Sequence, residues 1–400
     1  MTDFQGIKDL IEAQGAAWQD YKRANEARFD AIENDIARSQ RPPAGGSGSA
    51  IDNAEFRNVE TGAEIKAIGI EHVGRVRERL GTSDAGKGTL GDFFRAVAGL
   101  RSSPEMKASI AEGADATGGF AVPSSLFGNF IEALLPTSSV LQAGARILPL
   151  QDRAKSFRMA RIGTVPTAGW RDEAGAVSES DPAFAALDLS PRSLAFFFRV
   201  SREILADSSN IDAMLRSAIA GAFAKEIDRT ALRGSGTAPE PRGILNTSGV
   251  GSVTNGAAGA LMSAIKWANL LDAYSEILVD DAPPPTAAIM APRSLIGFAK
   301  LADTPGQPLQ RPFLIEPMKF IASSQIPTDL VVGGSSDCSE IYVGDFRELV
   351  IGLREDVTVL RANELFAANG QVGFICHARL DIGVLHAQSF CKVTGVRGFS

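Results

Sequence analysis

An α+β fold is predicted by three features of this 400-residue sequence. Apolar residues recur at every fourth position from Ile211 to Ala231, which marks one long helix with a buried stripe. The later part of the chain is rich in short strand-like runs, namely SEIYVGDF, ELVIGL, DVTVLR, QVGFICHARLDIGVLHA and FCKVTGV. Helical and strand patterns also mix without the regular βαβ alternation that builds a parallel α/β sheet.

Composition sets the outer limits. With 44% hydrophobic and 22% charged residues, the chain can bury a sizeable core and reads as ordinary globular protein. Twenty-two Phe against three Tyr and three Trp favours rings packed away from water. A net charge of −7 with no Lys/Arg cluster argues against a tight, sequence-specific nucleic-acid reader. Three cysteines, Cys338, Cys376 and Cys391, are too few and too scattered for a disulfide framework, so a reducing cytoplasm is expected. The start, MTDFQGIKDLIEAQ, lacks the basic and apolar regions of a signal peptide. No run approaches the roughly 18 apolar residues of a membrane span, so no membrane partner is expected.

The elements follow in chain order. Residues 1–39 are predicted as a helix, with Phe4, Ile7, Ile11, Trp18 and Tyr21 three and four residues apart. On strict heptads the seam then falls on Asn25, Arg28, Ile32 and Asp35, which suits a short bundle or imperfect coiled coil. RPPAGGSGSA, residues 41–50, breaks the helix and forms a flexible linker. Residues 51–115 read as charged and alanine-rich, with helical patches at Ile65 to Leu80 and Leu90 to Leu100 and too little apolar content for a core. The compact body is expected to begin after Gly119, at the stretch DATGGFAVP, where Gly118, Gly119 and Pro123 make a hinge.

Lys155 to Val165 alternates as a strand, a polar stretch follows to Phe184, and ALDLSPRSLAFFFRVS returns as a strand. A hairpin of about 35 residues is longer than most loops in compact domains, so it is expected to reach outward. Ser209 and Asp212 offer a capping box for the long helix, Met214, Ala218 and Ala222 widen its apolar face, and Gly234 stops it. A second helix spans about Ser263 to Leu278. TAAIM is a short buried strand, and PRSLIGFAKL is a helix opened by proline.

Candidate chemistry is thin. GTSDAGKGT, residues 81–89, begins like a phosphate-binding loop, but Gly88 stands where the Mg²⁺-binding Ser or Thr belongs and no buried strand precedes it. Cys376, His377, His386 and Cys391 have the donor types of a zinc set, yet neighbouring strand residues point to opposite faces, which favours packed strand residues. No G-x-S-x-G nucleophile elbow occurs. Asp172, Glu173, Glu179 and Asp181 cluster in the hairpin, where Arg171 beside them suits intersubunit ion pairing better than acid–base catalysis. No catalytic residue, cofactor or metal is expected.

From Ala116 onward the motifs, in order, resemble those of the major capsid proteins of tailed double-stranded DNA phages, the Hong Kong 97-like fold. They are ATGGFAVP; Trp170, Glu173, Glu179 and Ser180 in the hairpin; VSREILADS at 200–208; GSGT at 234–237; PRGIL at 241–245; MAPRSL at 290–295; VGDF at 343–346; and a strand carrying Arg379. The resemblance implies an N-terminal helical scaffolding segment over 1–113 and an N-terminal arm with the start of the shell body over 114–151. It implies an extended loop over 152–184, a peripheral domain over 185–240 and 347–388 with its spine helix at 209–233, and an axial domain over 241–346 and 389–400. Trp170, Arg171, Glu173 and Glu179 then become intersubunit contacts of the extended loop.

The implied function is self-assembly into the icosahedral shell of a tailed phage or prophage-derived particle, through pentamers and hexamers. The implied partners are a portal protein, a maturation protease and nonspecifically contacted packaged DNA, with assembly in the bacterial host cytoplasm. The composition change places a mature start between Arg101 and Thr117. Members that crosslink their shells use a loop lysine, and EAGAVSES at 173–180 has none, so no covalent crosslink of that kind is expected. The alternatives are an encapsulin-like compartment of the same fold and a nucleotide-binding enzyme using the loop at 81–89.

Overall fold

The computed structural model describes residues 55–57, 64–76, 80, 89–100, 102–103, 106–107, 110 and 119–399, apart from breaks at 123, 151–155, 165–182, 208–210, 304–305, 355–357, 363–365 and 367–368. The predicted helix at 1–39, the linker at 41–50, the loop at 81–88, Gly118, Pro123 and Ser209 lie outside the described residues.

Strands β1 (Glu55–Arg57) and β2 (Glu64–Lys66) pair antiparallel. Helix α1 (Leu90–Val97) follows, capped by the Thr89 hydroxyl, which accepts the Asp92 amide. Next come β3 (Gly119–Ala121), α2 (Ser124–Leu134), α3 (Ser139–Ala143) and β4 (Arg146–Leu150). Then follow β5 (Phe157–Thr164), β6 (Ala183–Leu189), β7 (Arg192–Ser201), α4 (Arg202–Asp207) and the long α5 (Ile211–Arg233). The next stretch holds β8 (Gly251–Thr254), β9 (Ala260–Leu261), α6 (Met262–Ile265), α7 (Ala268–Val279), β10 (Ala287–Met290) and α8 (Pro292–Ala299). Strands β11 (Lys319–Ala322), β12 (Leu330–Val332), β13 (Ser335–Gly344), β14 (Leu349–Arg354), β15 (Thr358–Ala362), β16 (Gln371–Val384) and β17 (Phe390–Arg397) complete the described fold.

Two sheets organise these pieces. A six-stranded sheet runs β3-β15-β16-β14-β4 with β7 also on β16. Its axis is the 14-residue β16, which pairs with β7 from Gln371 to Leu380. Helix α5 lies on the inner face of this sheet, where Phe223 meets Phe196 at 5.0 Å and Phe130 of α2 at 5.3 Å, both edge to face. A seven-stranded sheet runs β11-β10-β13-β17-β8, with β12 on β13 and β9 on β17. Its separate core takes Leu270, Ala273 and Ile277 from α7 and Phe298 from α8. Trp267 stacks on Phe298 with centroids 5.0 Å apart.

The four-residue period of α5 is confirmed: Ile211, Leu215, Ile219, Phe223, Ile227 and Ala231 are all buried. The flank differs from expectation. Met214, Ala218 and Ala222 face out, and Ala220, Ala224 and Asp228 are buried instead, because α3 packs on that side of the helix.

Three further expectations change. ALDLSPRSLAFFFRVS is two strands, since Pro191 offers no amide and the Ser190 amide donates to Asp381 at 2.6 Å, so the chain leaves β5 and joins β16. The helix expected over Ser263 to Leu278 breaks at Lys266, whose φ of 52° ends one helix before the next begins. Ile65 to Leu80 is not helical as a whole: it opens with β2, and the amide and carbonyl of Ile68 each bond Ile147 at 2.8 Å.

The start of the body also moves. Phe93 and Phe94 are fully buried, and Phe94 stands edge to face on Phe374 at 4.9 Å. Residues from Glu55 on belong to one compact unit, so the body begins well ahead of Gly119. The underlying reason is that a helix with only four or five apolar residues still packs well when all of them point into one existing core.

Candidate assembly elements

The hairpin β5–β6 is the root of the predicted outreaching arm. Its register runs from Phe157 opposite Leu189 to Thr164 opposite Ala183. Phe157, Met159 and Leu189 are buried in a small cluster with Ile65, Ala67, Leu148, Leu150 and Val350. An exposed Arg158–Asp188 pair at 2.6 Å ties the two strands, and Arg161 donates to the Leu385 carbonyl at 3.0 Å. Trp170, Arg171, Glu173 and Glu179, the predicted contact residues, lie beyond this root and outside the described residues.

Sequence reasoning missed the groups that fix α5. Asp228, buried, accepts four hydrogen bonds from the turn before and into α3: the Ser138 hydroxyl, the Val140 amide at 3.1 Å, and the Ser139 amide and hydroxyl at 2.9 and 2.8 Å. Burial pushes its carboxyl above the ordinary aspartate range, against the pull of those donors. An acidic residue on the apolar side of the helix, between Ile227 and Ala231, was the available signal. At the helix end Arg233 donates to Glu340 at 3.0 Å, and the same oxygen accepts the Tyr342 hydroxyl at 2.7 Å. Tyr342 is fully buried; that burial, followed by the Glu340 charge, raises its pKa.

The chain passes between the sheets beside itself. Leu385 donates to the Glu348 carbonyl at 2.9 Å and Asp345 to the Ser389 carbonyl at 3.0 Å, so the β13–β14 and β16–β17 connections are zipped together. Phe346 and Phe390 meet edge to face across them at 5.4 Å. His386 Nδ1 lies 2.8 Å from Glu348 Oε2, and that hydrogen bond holds the imidazole above its usual pKa.

The candidate metal donors are dispersed. Cys376 is buried and faces away from His377, His386 is engaged with Glu348, and Cys391 sits in the other sheet. Burial pushes the thiols of Cys376 and Cys391 up to about 12, the wrong direction for metal-binding thiolates. Among the described residues no group of three or more His, Cys, Asp or Glu is placed to hold a metal ion. Large apolar side chains are exposed instead on the seven-stranded unit, with Phe313 84% and Val279 75% accessible. No described helix is long and apolar enough to cross a membrane.

Comparison with known proteins agrees with this architecture. No curated protein matches the chain. Among solved structures, a capsid chain of an empty GTA particle, computed with C5 symmetry, is 23% identical with a TM-score of 0.52, over 65% of this chain and 90% of that one. The corresponding capsid of the native GTA particle is 22% identical with a TM-score of 0.50, over the same shares. A chain from Mycobacterium phage Adephagia is 15% identical with a TM-score of 0.47, over 65% and 89%. The family model described as the phage capsid family matches residues 118–395, well over half of the chain. With its mixed helices and sheets of the Hong Kong 97-like kind and this family match, the chain belongs to the phage capsid family and is a shell-forming capsid protein.

Proposed function

We propose that this chain is the major capsid subunit of a tailed phage or prophage-derived particle and acts by assembly rather than turnover. Pentamers and hexamers of it close an icosahedral shell around double-stranded DNA in the host cytoplasm, with a portal protein and a maturation protease as partners. The observation that carries this reading is the hairpin β5–β6, whose root is bolted to the body and whose two strands flank, in sequence, the acidic residues of 172–181. The unit built on the six-stranded sheet is the peripheral domain, and the unit built on the seven-stranded sheet, with its exposed Phe313 and Val279, is the axial domain near capsomer centres. Trp170, Arg171, Glu173 and Glu179 contact a neighbouring subunit. DNA contact is nonspecific and weak, in keeping with the net charge of −7.

Many copies of a modest contact stabilise a closed shell without any single strong bond. Electron microscopy of the protein expressed alone tests the reading: closed shells are expected, and a dispersion of monomers at high protein concentration overturns it.

A further inference from the structure

The hairpin β5–β6 is seated on the end of β16, and the seat has no slack. A Cβ added at Gly383 of β16 would come within 2.7 Å of Leu187 and 2.8 Å of Leu189, and one added at Gly352 of β14 within 3.1 Å of both Leu189 and Leu150. Glycine at these two strand positions lets β6 lie directly on the sheet backbone. Each strand of the hairpin is then tied to the same end of β16. Ser190, just after β6, donates its amide to the buried Asp381 at 2.6 Å, and Arg161 of β5 donates to the Leu385 carbonyl at 3.0 Å. Leu385 is shared between two structures. Its side chain belongs to the cluster that holds Phe157 and Met159, while its amide donates to the Glu348 carbonyl at 2.9 Å in the passage between the sheets. Further along the same passage the Ser389 carbonyl accepts the Asp345 amide at 3.0 Å, which locks the β13–β14 and β16–β17 connections to each other.

We propose that the arm root and the passage between the two sheets are one mechanical unit, coupled through Leu385, so that displacing the arm changes how one sheet is seated against the other. A chain of packed contacts carries a displacement when its links cannot absorb it by changing rotamer. Apart from the Arg161 side chain, the links here are backbone amides, backbone carbonyls and leucines set flush against glycine. Coupling of this kind is reciprocal, so the setting of the sheets also biases the arm. Arg158, three residues before Arg161 on the same strand, is the contrast, because it pairs at 2.6 Å with Asp188 of the hairpin itself. The coupling is a property of the single chain; the shell reading supplies only the neighbour that would move the arm.

Amide hydrogen exchange of the full chain, read at Leu385 and Asp345, tests it. Arg161→Met removes a charge-assisted hydrogen bond from the Leu385 carbonyl and is expected to speed exchange at both amides about tenfold. Gly383→Ala wedges β6 off the sheet and is expected to speed the same two amides from the other strand of the hairpin. Arg158→Met is expected to leave both within about twofold of the parent, and the Phe223 amide in α5 should keep the parent rate in every variant. Parent rates at Leu385 and Asp345 in Arg161→Met overturn the proposal. An equal acceleration in Arg158→Met, or at Phe223, also overturns it, because either means a general loss of stability rather than coupling. Should Gly383→Ala fail to fold, Arg161→Met and its Arg158→Met control still decide. Exchange is read on the chain itself, so the outcome stands whether or not the chain closes a shell.

Discussion

Arg233, in the last turn of α5, is held 3.0 Å from Glu340, a residue 107 positions later on β13. The pair joins the helix of one sheet to the centre of the other, and the guanidinium also sits where the helix dipole favours positive charge. Glu340 is buried and has Tyr342 on the same oxygen, so losing Arg233 strands a carboxylate with one neutral donor. Arg233→Ala is expected to cost about 3 kcal/mol of unfolding free energy. Glu340→Gln should cost less, because the amide oxygen still accepts from both partners. Urea unfolding of the two variants measures the difference, and equal losses would contradict this account.

Asp228 serves α3 as a carboxylate with four donors. Asp228→Ala leaves two buried amides and two buried hydroxyls without their acceptor and should cost about 3 kcal/mol, near the upper range for orphaned buried groups. Asp228→Asn keeps the shape but turns one acceptor into a donor facing donors, so it should recover little. Thermal unfolding of both variants checks this; an Asn variant as stable as the parent would contradict it.

His386 gives a pH dependence with a definite sign. Its imidazole is held above about 6.5 by the Glu348 hydrogen bond, so the folded state binds the proton more tightly than the unfolded chain. The contribution is therefore complete below about pH 6.5 and fades as pH rises through the folded value. Because His386 is about half exposed, it amounts to less than about 1 kcal/mol. The stability difference between the parent and His386→Gln should be largest near pH 5.5 and shrink by pH 8, as read from denaturant midpoints at each pH.

Joining Thr164 to Ala183 through a short glycine turn removes the distal arm but keeps Phe157, Met159 and Leu189 in their cluster. The shortened chain should fold with nearly unchanged stability and fail to form shells in electron micrographs. Normal particles from it would remove the arm from the assembly contacts. Particles of the parent chain, boiled in denaturant, should run as single chains on gels.

Much of this architecture is legible locally. The stripe from Ile211 to Ala231 specifies α5, and alternation in KSFRMARIGTV specifies β5, because one buried face imposes its own period. EIKAIGI was harder: a short apolar run fits helix or strand equally, and its pairing partner, Ile147, lies about 80 residues away. Lys266 gives no local sign of its left-handed backbone, since the tertiary fold imposes it. The Arg233–Glu340 and His386–Glu348 pairs were invisible for the same reason: each member looks like an ordinary surface charge until the sheets bring it to its partner. Asp228 was the exception, a charge on an apolar stripe that could have been flagged.

Strand β17 comes last of the seven strands in sequence yet lies between β13 and β8 in space. Until the ribosome has delivered Arg397, β13 and β8 carry open edges, and the sheet cannot close. Completion of the sheet therefore waits on β17, and the riskiest moment for mispairing falls in the interval just before synthesis reaches that strand.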